Sequence, residues 1–97
     1  MIKHLIVFNP HDQATHEDCL AMLAKGKKEL SQIPGVVKVS YGVAVAANAK
    51  YKYTFEALFE NESVIETYKH HPIHVKFADE DFRPMAVDRI TTDYEIL

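Results

Sequence analysis

The chain has 97 residues, 47% hydrophobic and 26% charged, with 3 glycines and 4 prolines, a composition that suits a single domain over 1–97. A formal net charge of −3 argues against nucleic acid as a main partner, because gripping a phosphate backbone needs a concentrated basic surface. No apolar run approaches the ~20 residues of a bilayer span, and the segment from Met1 to Phe8 is too short for a signal peptide and offers no small-residue cleavage site, so neither membrane insertion nor export is expected.

Ile2 to Phe8 reads as a strand that is apolar on both sides, with Ile2, Ile6 and Phe8 flanking His4 on one face and Leu5 and Val7 following Lys3 on the other. Asn9-Pro10 breaks it, since proline supplies no donor to a sheet ladder. Thr15 is a good N-cap for the next segment, and Glu17 and Asp18 fall in its first turn, where the helix dipole favours negative charge. Cys19, Leu23, Gly26, Leu30 and Ile33 then recur at steps of four and three, a helical stripe that Pro34-Gly35 ends. Cys19 is the one cysteine, which rules out an internal disulfide and a cysteine zinc site and points to a reducing, cytoplasmic setting. On a helix stripe it reads as core and not as a nucleophile.

From Val36 to Ala46 the residues alternate, with Val37, Val39, Tyr41, Val43 and Val45 on one face. After the loop Ala47 to Lys50, a second alternating run carries Tyr51, Tyr53, Phe55, Ala57 and Phe59, and the two runs make an antiparallel hairpin. Asn61 is the expected N-cap of a short helix bearing Val64, Ile65 and Tyr68, which must stop near His71 because Pro72 disfavours helical geometry in the residue before it. Pro72 opens a further helix with His74 and Phe77, reaching the acidic stretch Asp79-Glu80-Asp81, and Pro84 closes that region. Met85 to Leu97 is the last strand.

This order, βαββαβ, is the α+β ferredoxin-like arrangement with a four-stranded antiparallel sheet. Helices cover only one face of such a sheet. If the other carries Leu5 and Val7 with either the valine or the aromatic row, it is apolar and uncovered, and a second copy of the chain closing sheet against sheet is the simplest solution. A small chain strengthens the expectation of a homodimer, because it buries only about 60–65% of its unfolded surface.

Of the six histidines, His11, His16 and His70 read as solvent-exposed filler, and the informative set is His4, Tyr68, His71 and His74. Tyr68 follows Val64 by four residues, so its ring faces the sheet and its hydroxyl needs a partner if buried. His74 lies in the first turn behind Pro72, where the positive end of the helix disfavours the imidazolium and leaves a neutral ring able to act as a general base. His71, held extended before Pro72, turns one helix into the next. His71 and His74, three apart, could bind zinc with His4, but no HExxH or carboxylate-flanked pattern accompanies them, and neither a metal nor a cofactor is expected. A plainer alternative stays open, in which Tyr68 and His74 hydrogen-bond each other and simply close the core.

The strand Ile2-Lys3-His4-Leu5-Ile6-Val7-Phe8, the helix ending in Ile33-Pro34-Gly35-Val36, the motif Tyr68-Lys69-His70-His71-Pro72-Ile73-His74-Val75 and the late Asp93-Tyr94 together resemble the stress-responsive dimeric α/β-barrel (Dabb) family, including its plant polyketide cyclases of the olivetolic acid type. The resemblance implies a homodimer whose two sheets form a barrel, and a pocket between helix and sheet for a small hydrophobic or phenolic ligand. It implies cyclase or isomerase chemistry on a carbonyl compound, with His74 as base and Tyr68 holding the developing enolate oxygen. His4 would line the same pocket, Ile6, Phe8, Met22, Leu23 and Phe55 would be its walls, and His71 joins the binding residues. The chain departs from those cyclases at Met22, Leu23 and Gly26, where they carry bulky aromatics, and the segment from Phe77 to Asp88 aligns only with a shift, so a different substrate is expected. A non-catalytic dimeric stress protein is the alternative. A monooxygenase of the related dimeric barrels is a further one, disfavoured by the absence of any tryptophan.

Overall fold

A computed structural model describes residues 1–97. Strands β1 (Ile2–Asn9), β2 (Val36–Val43), β3 (Tyr53–Phe59) and β4 (Asp88–Glu95) form one antiparallel sheet in the order β2-β3-β1-β4. Helix α1 (His16–Leu30) joins β1 to β2. The β3–β4 connection is a segmented helical run of α2 (Val64–His70), α3 (Pro72–Phe77), a π-helical turn (Ala78–Phe82) and α4 (Arg83–Met85). This is the ferredoxin-like fold, with the helices layered on one face of the sheet.

The capping residues show why the helices start where they do. The Thr15 side chain accepts from the Asp18 amide and the Asp18 carboxylate accepts from the Thr15 amide, a reciprocal capping box. At α3, Pro72 takes the first helical position and His71 is the N-cap, its Nδ1 accepting from the Ile73 amide at 3.1 Å. Asn61, expected to cap α2, instead accepts from the Ser63 amide at 3.0 Å, and Ser63 becomes the N-cap. A local side-chain turn has displaced the helix start. Helix α1 ends at Leu30, short of Pro34, and Ile33 reaches the core from the turn that follows. The last strand likewise begins at Asp88, because Met85 completes α4.

Residues facing one another across an antiparallel ladder share a sheet face. Ile2, His4, Ile6 and Phe8 stand opposite Phe59, Ala57, Phe55 and Tyr53, all on the helix side. Val39, Tyr41 and Val43 stand opposite Ala57, Phe55 and Tyr53, so the valine row joins the aromatic row on that same side. A bulge between Val36 and Lys38 sets this register. The open face therefore carries neither row. It displays Leu5, Val7, Leu58, Ile90 and Tyr94 among Lys3, Lys38, Thr54, Glu56 and Thr92, and is more mixed than the alternation alone suggested.

The core lies where α1 meets β1, β2 and β3, and its tightest point is Gly26. A Cβ there would stand 2.5 Å from Phe77 Cζ and 2.8 Å from Phe55 Cζ. Alanine normally gains about 1 kcal/mol over glycine within a helix. At this position the overpacking costs about 1–3 kcal/mol and wins, so Gly26→Ala is expected to lower the denaturation midpoint. An unchanged or raised midpoint would show that the two phenylalanines can yield.

Candidate functional site

Strand β4 is an edge strand whose helix-facing residues are Arg89, Thr91, Asp93 and Glu95, opposite Phe8, Ile6, His4 and Ile2 of β1. A polar row cannot draw the second helical layer down onto itself as the aromatic row of β3 does. A cavity of about 550 Å³ remains between this edge and the segmented helices, within the usual size range of small-molecule sites. His4 and Ile6 of β1 line it together with Arg89, Thr91 and Asp93 of β4. Ile65, Glu66, Tyr68 and Lys69 enter from α2, and His74 from α3. The π-helical turn presents Ala78 and Phe82, and Arg83 follows. Such wide turns recur at functional sites because the added residue re-aims the side chains after it.

Four polar side chains converge here. His4 Nδ1 lies 2.6 Å from Asp93 Oδ1, and because an ionised carboxylate only accepts, the Nδ1 carries the proton. The His4 ring stacks on Phe59 and meets the edge of Tyr68, with centroids 5.5 and 5.6 Å away. Tyr68, 4% exposed, packs between Phe59 and His74 at 4.7 and 4.5 Å. Burial pushes its hydroxyl well above the ordinary tyrosine range, with the negative charge of Asp93 acting in the same direction, so it remains a proton donor.

His74 Nδ1 lies 3.0 Å from the Lys69 carbonyl, which can only accept. The Nδ1 therefore holds a proton, and in the neutral ring the lone pair is on Nε2. Burial lowers the His74 pKa below its ordinary value; the Lys69 carbonyl opposes this, while the charges of His4 and Arg83 add to it. The direction is the one read from the helix start, but the leading cause is desolvation. Tyr68 and His74 do not hydrogen-bond each other. Their rings lean together at 44°, and the Tyr68 hydroxyl makes no side-chain hydrogen bond within the protein but is not sealed off as a buried unpaired atom, so it keeps contact with the cavity it lines.

Of the expected walls, Ile6 alone borders the cavity. Phe8, Leu23 and Phe55 are sealed in the main core, because α1 packs against that part of the sheet, and Phe82 takes the place foreseen for them. Met22 borders a separate hollow of about 390 Å³ beside His11 and Lys25. His71 is spent on capping α3 and does not reach the cavity. Cys19 is fully buried, and desolvation raises its thiol above the usual range, the opposite of what a nucleophile needs.

Of the histidines taken as filler, His16 is exposed but places Nδ1 2.6 Å from the Tyr53 hydroxyl, and His11 is half-buried with its Nδ1 unpaired. His70 is exposed beside Glu66. No three His, Cys, Asp or Glu side chains converge in a metal-holding geometry. Sequence reasoning missed Arg83, Arg89 and Thr91, although the every-second-residue spacing of Arg89, Thr91 and Asp93 marks them as one strand face.

Comparison with known proteins places this geometry in context. A model of the stress-responsive A/B barrel domain (Dabb) matches residues 2–96. A Dabb family protein with a ferredoxin-like fold from Mesorhizobium loti superposes with a TM-score of 0.85 at 26% identity, over 99% of this chain and 96% of that one. A dimeric ferredoxin-like protein of unknown function from Thermobifida fusca gives 0.83 at 22% identity, over 98% and 90%. The hydroxynitrile lyase of Passiflora edulis gives 0.87 at 16% identity, over 99% and 93%, a likeness of fold alone. A search among curated proteins finds no match. With nearly its whole length matched by the family model, the chain belongs to the stress-responsive A/B barrel (Dabb) domain family.

Proposed function

We propose that the cavity is a catalytic site for proton transfer on a small carbonyl compound, of the cyclase or isomerase type. The observation that carries this reading is the His74 ring, tied through Nδ1–H to the Lys69 carbonyl, its pKa lowered by burial, and tilted against a tyrosine whose hydroxyl makes no side-chain hydrogen bond. His74 Nε2 takes a proton from the carbon next to the carbonyl. The electron pair moves onto the carbonyl oxygen, and the Tyr68 O–H donates to that oxygen as charge develops. The imidazolium then returns its proton to the rearranged product. His4, held by Asp93, sits at the same end of the cavity and orients the reacting group. The hydroxynitrile lyase of Passiflora edulis shares this fold, so an enzyme on the same framework is compatible with the reading. Hydrogen–deuterium exchange next to the carbonyl of simple ketones in D₂O, followed by NMR, tests it. Catalysed exchange is expected, and a ketone that binds without any exchange would leave a binding protein in place of an enzyme.

The chain is read as a homodimer closed through the open sheet face into a barrel. Leu5, Val7, Leu58, Ile90 and Tyr94 form a partly apolar surface with nothing over it in the single chain, and the Thermobifida fusca neighbour is described as dimeric. Sedimentation equilibrium is expected to return about twice the 11.1 kDa chain mass. A stable monomer at micromolar concentration would remove the barrel.

A further inference from the structure

We infer that the ligand is an elongated carbonyl compound bearing a carboxylate, and that Arg89 holds its acid group at the end of the cavity away from His4 and Tyr68. The carbonyl half of this assignment rests on the proton-transfer reading above; the carboxylate half stands on charge and register. The chain carries a net −3, yet Lys69, Arg83 and Arg89 all gather on this one cavity.

Two carboxylates line the cavity: Asp93 is bound to His4 at 2.6 Å, and Glu66 lies on an exposed stretch of α2, 3.3 Å from His70, a pair that is ionic only when His70 is protonated. Arg83 is answered by Asp79 at 2.5 Å. Lys69 and Arg89 form no ion pair. Arg89 spends one nitrogen on the Ala86 carbonyl at 2.9 Å, which anchors the guanidinium and leaves most of its fork unengaged. A planar fork held in this way suits a carboxylate, which accepts two parallel N–H bonds.

The register of β4 on β1 sets the shape of the ligand. Asp93 faces His4, Thr91 faces Ile6, and Arg89 faces Phe8. Arg89 and Asp93 are therefore about 13 Å apart along the strand, with the methyl-bearing pair Ile6 and Thr91 between them. Phe82, from the π-helical turn, adds an apolar wall and packs on Phe8, the residue opposite Arg89. An acid group at one end, an apolar stretch and a carbonyl at the other end match that sequence of surfaces.

The test pairs 7-oxooctanoate with its methyl ester, titrated by calorimetry into wild type, Arg89→Gln and Arg89→Lys, with deuterium exchange followed by NMR in the same samples. Wild type is expected to bind the acid about tenfold or more tightly than the ester, the usual worth of a hydrogen bond to a charged group. That preference should collapse in Arg89→Gln and survive in part in Arg89→Lys. Equal binding of acid and ester by wild type, a preference that persists in Arg89→Gln, or no binding of either compound would overturn the assignment. Arg89-dependent binding without exchange would overturn the proton-transfer reading and the carbonyl half that rests on it, leaving the carboxylate contact standing, and exchange without any acid preference would overturn only the carboxylate contact.

Discussion

Replacing His74 with alanine is expected to slow deuterium exchange from a bound ketone about 10²- to 10⁴-fold, the usual contribution of a positioned general base. The fold should tolerate the change. The ring borders an open cavity, and the bond lost, Nδ1–H to the Lys69 carbonyl, is worth about 1 kcal/mol. His74→Asn is the companion variant, since its amide can still donate to that carbonyl but offers no basic lone pair. It should be as inactive as alanine and closer to wild type in stability. Full activity in His74→Asn would mean that the base lies elsewhere, and a collapsed fold in both would favour a structural imidazole.

The pH behaviour has a definite sign. Burial sets the folded pKa of His74 below its unfolded value of about 6.5. Exchange should therefore persist as pH drops through 6.5 and fail only on further acidification, when Nε2 becomes protonated. The native state also binds fewer protons than the unfolded chain in that window. The contribution of His74 to stability is complete above about 6.5 and is lost as pH falls toward the folded value, so the wild type should lose ground to His74→Ala on acidification. A rate limb centred above 6.5 would contradict this.

Removing only the hydroxyl, in Tyr68→Phe, is expected to cost about 10²- to 10³-fold in the same exchange, the range seen when one donor to a developing oxyanion is deleted. Stability should change by less than about 1 kcal/mol, because the hydroxyl has no partner in the protein to lose and the ring packing against Phe59 and His74 is kept. Burial holds the tyrosine proton well above its ordinary range, so the wild-type rate should not decline as pH passes through about 10 on account of this group. A destabilised but active Tyr68→Phe would make the residue a packing element and move the oxyanion contact to another donor.

Much of this architecture could be read along the chain. Alternation at period two marked β2 and β3, the stripe from Cys19 to Leu30 marked α1, and Thr15 and Pro72 announced helix starts because capping and proline geometry are local chemistry. The motif from Tyr68 to His74 brought two members of the site together on consecutive helices. Other features depended on partners far away in sequence. His4 and Asp93 are separated by 89 positions and meet only through the β1–β4 ladder. Phe8, Leu23 and Phe55 had the composition of pocket walls, but α1 drew them into the core, and the wall passed to Phe82 through a π-helical turn that no local signal marks.

Hydrophobic period and capping residues determined from the sequence alone which segments are strands and helices, and the motif from Tyr68 to His74 singled out the candidate side chains. The tertiary structure decided where the cavity lies, which face of the sheet stays open, and that Arg89 and Asp93 look toward the helices. The division has one physical cause. Periodicity belongs to a segment, whereas a cavity is space that elements distant in the chain leave unfilled when they pack. A slip of one residue in the pairing of β4 with β1 would turn Asp93 and Arg89 to the opposite face and dismantle the site without altering a single local preference.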